Sequence, residues 1–390
     1  MTSLKNAYIV TFTILLGLFN SCSDTQKGSD NTSNTSNSNS FKEMHEQEIE
    51  KYNKAIELNP EDADAYYDRG FFKDVLEQYD SAIKDYDKVI ELDPKNADAH
   101  VRRGNSKGNL GQYDLAIRDY NKAIELNLKN VDAYKNRGIC RDKLEQYDLA
   151  IEDYNTAVKL NPKNADIYYK LGVCNSNLRQ YNFAINAFDK AIELEPENYN
   201  AYIIRGTYKD ELGQYDLAIK DYDKAITINP EHNDSYIFRG ISKHKLGQYD
   251  SAIEDFNKAI ELDSKDASAY RNRGISLNAL EKYELAIYDF DDAIKLNPED
   301  ADAYAGRGNS KGRLGKDYDA IKDYDRVIEL IPSAIDAYYN RGISKYKLGK
   351  SNLKQYDEAI EDFIRVVELN PEDTQARMAL ELCYERLNEL

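Results

Sequence analysis

The chain has no tryptophan, and its 390 residues include only four cysteines and four histidines. Four cysteines over that length do not make the dense framework of a disulfide scaffold. No histidine stands at ligand spacing from another histidine or from a cysteine, which argues against a His/Cys metal site. Basic residues are few beside acidic ones, 52 against 70, leaving a formal charge of −18. A surface so balanced has no general attraction for phosphate backbones, so broad nucleic-acid binding is not expected. Nor is the chain a disordered acidic tail, since hydrophobic residues make up 41% of it. Tyrosine is the conspicuous surplus, with 32 copies.

Residues 1–22 read as an export signal. Lys5 supplies a positive start, and the apolar run from Ala7 to Phe19 is shorter than the roughly 20 residues a membrane span needs. The run ends Leu18-Phe19-Asn20-Ser21-Cys22, which resembles a bacterial lipoprotein signal cleaved before a lipidated Cys22. The alternative is an ordinary cleaved signal in which Cys22 is incidental. From Ser23 to Ser40 there is no aliphatic or aromatic side chain, and 31–40 is all Asn, Ser and Thr. Residues 23–41 are therefore expected to be a disordered tether between anchor and folded domain.

The remainder is one pattern repeated. Glycines stand at 70, 104, 138, 172, 206, 240, 274, 308 and 342, at a constant interval of 34 residues. Alanines follow from Ala82 to Ala320 at the same interval, and Ala359 arrives late because of an insertion near Lys350 to Lys354. Tyr79, Tyr113, Tyr147, Tyr181, Tyr215, Tyr249, Tyr283 and Tyr356 each lie three residues before an alanine. Apolar residues fall at helical spacing within each unit, and prolines such as Pro60, Pro94 and Pro162 stop the second helix.

A 34-residue helix–turn–helix unit of this kind resembles the tetratricopeptide repeat (TPR). The resemblance implies an all-α, right-handed superhelical solenoid with a concave inner surface. It covers 63–373 as nine units, preceded by a half-repeat over 42–62 that supplies a second helix only. A capping helix over 374–390 follows. Asp62, Asn96, Asn130, Asn164, Asn198, Asp266, Asp300 and Asp373 stand where N-caps of first helices belong. Leu128 and Ser264 replace the terminal proline, His100 replaces an aromatic, and arginine usually precedes the glycine.

The copies inform on one another. Arg69, Arg103, Arg137, Arg205, Arg239, Arg273, Arg307 and Arg341 precede the glycines, with Leu171 the exception. Sixteen residues later stand Asp85, Asp119, Asp153, Asp221, Asp255, Asp289 and Asp323, with Asp362 as the shifted last member. The exception here is Ala187, in the same repeat as Leu171, so each arginine is expected to pair with its aspartate across the hairpin. The competing reading is a ladder of arginines binding an anionic ligand.

No catalytic apparatus is legible. No glycine-rich phosphate loop occurs, and the carboxylates fall on repetitive helix faces. Cys140, Cys174 and Cys383 read as small core residues. Some TPR domains hold acidic C-termini through a carboxylate clamp. Here the second place of the first helix, where a clamp puts lysine, holds Asp64, Asp98, Asp132, Asp166, Asp234, Asp302 and Asp336. The fifth and ninth places add Tyr67, Tyr169, Tyr339, Lys135, Arg271, Asn105 and Asn309 as candidate groove residues, or as packing residues between repeats. The expectation is a non-catalytic scaffold without cofactor or metal, lipid-anchored in the bacterial envelope. Its partner would be a protein, peptide or helix of basic or neutral character. The alternatives are an envelope receptor for a small ligand or saccharide, and a regulatory subunit of an envelope enzyme.

Overall fold

The structure, a computed structural model, describes residues 35–349 and 352–388. Within them all regular secondary structure is α-helical, in twenty helices. They fall into two compact units that divide between Glu197 and Asn198. The first holds the helix Thr35–Leu58 and four hairpins, from Ala63–Val75 with Tyr79–Leu92 to Ala165–Asn177 with Tyr181–Leu194. The second holds five hairpins, from Tyr199–Glu211 with Tyr215–Ile228 to Ile335–Gly349 with Lys354–Leu369, and the terminal helix Thr374–Asn388. Within each unit a second helix packs on its own first helix and on the first helix of the next hairpin, the stacking of a TPR solenoid.

The tether expectation needs one correction. Residues 35–41 are helical, so the first helix starts inside the segment assigned to the tether. A helix nucleated over 42–58 gains one hydrogen bond for each residue it adds, which offsets the weak helix preference of Ser, Thr and Asn. The signal with Cys22 and the tether up to residue 34 lie outside the described residues.

Sequence chemistry sets each boundary. Of the nine first helices of complete hairpins, seven open on Asx side chains that accept from a backbone N–H two or three residues on, as Asp62 does from Ala65 at 3.0 Å and Asn130 from Ala133 at 2.9 Å. They close in a Schellman turn: Gln146 N–H reaches Arg141 C=O at 2.8 Å, Glu145 N–H reaches Asp142 C=O at 2.9 Å, and Glu145 itself is left-handed. Six of the nine second helices of complete hairpins end on a side-chain turn. Asp93 Oδ1 accepts from Lys95 N–H at 3.0 Å, and Asn127 does the same for Lys129. This turn explains why Leu128 and Ser264 can stand in for proline: Asn127 and Asp263 hold the bend without it.

Two recurrent rings of each second helix differ in burial. The tyrosines three before the alanines, such as Tyr147, are only half-buried, apart from Tyr356 in the last repeat, which is buried. The ring seven residues further on is the sequestered one: Tyr86, Tyr120, Tyr154, Phe188, Tyr222, Phe256, Phe290, Tyr324 and Phe363. Each lies on the glycine of its own first helix. A Cβ added at Gly138 would stand 2.7 Å from the Tyr154 ring, so the hairpin closes only over glycine.

Candidate interaction face

Each arginine before a glycine grips its aspartate through two nitrogens. Arg69 Nε donates to Asp85 Oδ2 at 3.0 Å and Nη2 to Oδ1 at 2.6 Å. The same fork joins Arg103 to Asp119, Arg137 to Asp153, Arg205 to Asp221 and Arg239 to Asp255. It recurs from Arg273 to Asp289, Arg307 to Asp323 and Arg341 to Asp362. In the fourth repeat Leu171 and Ala187 share an apolar cluster instead.

Two further partners of this pair escaped the sequence reading. One is a second cation one helical turn after the arginine: Lys73 lies 2.7 Å from Asp85, and Lys107 and Arg141 lie 2.8 Å from Asp119 and Asp153. Lys209, Lys243, Lys311 and Lys345 repeat the contact. Asn175 takes this place in the fourth repeat, where there is no aspartate to meet. The other partner belongs to the preceding repeat. Nη1 of Arg103 donates to Asp87, of Arg137 to Asn121, of Arg239 to Asp223 and of Arg341 to Asp325. The periodic Asp or Asn two residues after the paired aspartate was the available signal.

The guanidinium also lies over the tyrosine three residues before it, at 5.3 to 5.6 Å in seven repeats. The repeat arginines are thus engaged through their donors and on a face, which is not the disposition of an anion-binding ladder. In the second repeat His100 replaces that tyrosine. It is buried, and its Nδ1 lies 3.9 Å from Asp119 Oδ1. Burial pushes the Asp119 carboxyl up, but His100, Arg103 and Lys107 around it pull it down further, to about 2.

The other predicted residues lie on first helices. Asp64, Asp98, Asp132, Asp166, Asp302 and Asp336 are exposed, and Asp166 reaches Lys170 at 3.5 Å. Asp234 is half-buried, and that burial pushes its carboxyl up. The aromatics Tyr67, Tyr169 and Tyr339 are half-buried, edge-on to Tyr86, Phe188 and Phe363 at 5.9, 5.5 and 5.8 Å. Their rings therefore extend the core and present one side outward. Asn105 is occupied by its own repeats: Oδ1 accepts from Tyr120 Oη at 2.9 Å and from Asn136 Nδ2 at 2.8 Å. Asn309 does the same for Tyr324 and Asn340. Arg271 Nη1 donates to Asp300 at 2.9 Å, and Lys135 is half-buried. Second, ninth and thirteenth places align on one side of a helix of 3.6 residues per turn, with the fifth beside them. On that face of the first four repeats an aspartate is exposed at the second place of every first helix, with half-buried Lys135 and exposed Lys143 beside the row.

Among the described residues no three His, Cys, Asp or Glu side chains are placed to hold a metal ion, and no helix is long and apolar enough to cross a membrane. The thiols of Cys140 and Cys383 are buried, and that burial pushes both up to about 11. A cleft of about 610 Å³ in the fifth repeat is lined by one aromatic, Tyr202, with Arg205, Lys209, Lys220, Lys224 and Asp223 among its other residues. It lacks the clustered rings that a saccharide receptor calls for.

No curated protein matches the chain. Among solved structures, a tetratricopeptide repeat protein from Parabacteroides merdae superposes with a TM-score of 0.52 at 22% identity, covering 65% of this chain and 98% of that one. The C-terminal part of a TPR repeat-containing protein from Cytophaga hutchinsonii gives 0.50 at 20% identity, over 62% and 98%. The Cut9–Hcn1 hetero-tetramer of the APC/C gives 0.50 at 17% identity, over 86% and 81%. These likenesses establish the fold alone. Sequence signatures described as TPR repeat match residues 45–74, 76–111, 143–177, 240–280 and 313–349. Those described as tetratricopeptide repeat match 97–130, 165–198, 199–232, 267–300 and 335–373. With well over half of its length matched, the chain belongs to the tetratricopeptide repeat family.

Proposed function

We propose that this chain is a non-catalytic adaptor, lipid-anchored through Cys22 in a bacterial cell envelope, which binds a basic or neutral partner protein on the face of its first helices. Arrays of this family act as protein-interaction scaffolds, and that is the general part of the reading. The observation that carries the partner's chemistry is how charge is used. The recurrent cations are spent inside the repeats, Arg69 and Lys73 both on Asp85, Arg103 and Lys107 both on Asp119. The second-place aspartates remain exposed on successive first helices, beside half-buried rings that supply apolar anchors. Such a face attracts lysine- and arginine-bearing segments and repels acidic ones. The signal and the polar tether support the anchor.

The test compares the native chain with Cys22→Ala and with Asp98→Asn/Asp132→Asn/Asp166→Asn. After cross-linking in cells, membranes are separated from soluble material and recovered proteins identified. The reading expects the native chain in membranes, Cys22→Ala in the soluble fraction, and one recurrent partner whose recovery drops at least fivefold with the triple variant. Equal fractionation of both forms would remove the anchor. Equal partner recovery with the triple variant would remove the acidic face as the binding surface.

A further inference from the structure

Seven of the nine second helices of complete hairpins carry a cation at one outward place, and in six of them a glutamate three residues on takes it. The pairs are Lys88–Glu91 at 2.8 Å, Lys122–Glu125 at 3.0 Å and Lys190–Glu193 at 2.6 Å. Lys258–Glu261, Arg326–Glu329 and Arg365–Glu368 repeat the contact at 2.8 to 3.0 Å. The fifth repeat keeps the cation, Lys224, but has Thr227 where the glutamate belongs. Thr227 does not substitute for it, since its Oγ1 donates to Asp223 C=O at 2.7 Å, inside its own helix. One turn before Lys224 stands Lys220. Among the described residues both lysines are exposed and neither forms an ion pair. In no other repeat do these three places hold two cations and no carboxylate.

The cleft of about 610 Å³ lies at the same spot, between Tyr202, Arg205 and Lys209 of the first helix and Leu217, Lys220 and Lys224 of the second. Its two carboxylates are already answered. Asp221 holds Arg205 and Lys209, and Asp223 holds Arg239 of the following repeat at 2.6 Å. Two lysines are therefore left over in a concave place. Tyr202, Arg205 and Lys209 stand at the fourth, seventh and eleventh places of their helix, on the side opposite the second and ninth at 3.6 residues per turn. The cleft is thus separate from the face that carries the aspartate row.

We infer that this cleft binds a compact dianion, a phosphate monoester carried on a small molecule. Charge selects the dianion: two side chains one helical turn apart, with Cβ atoms about 6 Å from each other, can close their ammonium groups on a single doubly charged group. The free donors select phosphate over carboxylate. The Arg205 fork that would take a carboxylate side-on is closed on Asp221, which leaves ammonium point charges suited to phosphate oxygens. Confinement selects a small ligand. In the following hairpin the corresponding places hold Glu254, Lys258 and Glu261, with Lys258 already on Glu261. An extended acidic segment would run onto Glu254, whereas a small ester stays within one hairpin. Its apolar part has Leu217 and the Tyr202 ring to rest against, the ring having Arg205 at 5.4 Å over one face.

Isothermal titration calorimetry of the full chain at low ionic strength tests this, with phenyl phosphate as probe and phenyl sulfate, of the same shape with one charge fewer, as control. One saturable site is expected, at least tenfold tighter for the phosphate and weakening as salt is added. Thr227→Glu gives the fifth repeat the residue that six others carry, so its helical circular dichroism is expected to be unchanged. It should hand Lys224 a partner and weaken phenyl phosphate at least tenfold. Lys220→Gln/Lys224→Gln should abolish the binding. No saturable binding by the native chain, or equal binding by either folded variant, would overturn the inference. A phosphoserine heptapeptide and hexaglutamate complete the set. Tighter binding of the phosphopeptide would assign the phosphate to a partner protein, and tighter binding of hexaglutamate would make the cleft a carboxylate site. Either result would overturn the small ester as the ligand.

Discussion

Leu171 and Ala187 share one apolar cluster in the fourth repeat, at the two places where every other repeat sets an arginine against an aspartate. The same fold has accepted both solutions, and the comparison makes the energetics testable. Removing one member of a buried pair strands the other charge, whereas replacing the whole group with apolar residues is often neutral.

Asp153→Ala should lower stability by about 3 kcal/mol, because Arg137 and Arg141 lose their shared carboxylate. Arg137→Leu/Arg141→Asn/Asp153→Ala, which copies Leu171, Asn175 and Ala187, should recover to within about 1 kcal/mol of the native chain. Urea unfolding followed by circular dichroism reads both. A triple variant no better than Asp153→Ala would show that the fourth repeat depends on more than these places.

Two carboxyls, one on buried Asp119 and one on half-buried Asp210, respond to pH in opposite directions. Asp119 is held at about 2, below the ordinary 3.8, so the stability it supplies is present above pH 3.8 and lost as pH falls toward 2. Burial pushes Asp210 up to about 6, with Ser242 and Tyr222 donating to it. Its contribution is greatest below pH 3.8 and is lost as pH rises through 6. Asp210→Asn should therefore raise the melting temperature at pH 7.5, by the equivalent of roughly 1–2 kcal/mol, and leave it unchanged at pH 3.5. An equal gain at both pH values would mean that ionisation of Asp210 is not the cause.

The Tyr154 hydroxyl is buried and has no hydrogen-bond partner among the described residues, whereas Tyr86 donates to Asp74 at 2.8 Å. Tyr154→Phe is expected to be neutral or to stabilise by up to about 1 kcal/mol, as the phenylalanines at 188, 256, 290 and 363 suggest. Tyr86→Phe should cost about 1 kcal/mol, since Asp74 loses a donor. Thermal melts of the two variants side by side settle it, and equal losses would contradict the assignment.

Gly138→Ala should destabilise by about 2 kcal/mol, because its Cβ would meet the Tyr154 ring at 2.7 Å and Tyr154 has no room to retreat. By contrast, Glu145→Gly should stabilise by roughly 0.5 kcal/mol: Glu145 is left-handed at φ 58°, where glycine already stands in four other repeats. Chemical denaturation measures both, and a harmless Gly138→Ala would mean that the ring is not pinned on the glycine.

The 34-residue interval, with caps at Asp62 and its counterparts, determined the helices by itself, because caps, Schellman turns and Asx turns are made by residues within a few positions of one another. The joint exception of Leu171 and Ala187 made the partners in the Arg–Asp pairing legible without coordinates. The extent of the network was not legible. Lys73 joins Asp85 because a helix returns to the same side every turn, and Arg103 also reaches Asp87 because hairpins stack at a particular distance. The sequence marks Tyr147 and Tyr154 alike as recurrent aromatics, yet only Tyr154 lies on a glycine and is sealed from water. Asn105 looks like a groove residue until Tyr120 and Asn136 are seen to share its carbonyl. Local periodicity specifies which way a side chain leaves its helix. What it meets there depends on the distance and tilt of the next helix, which only the packed structure decides.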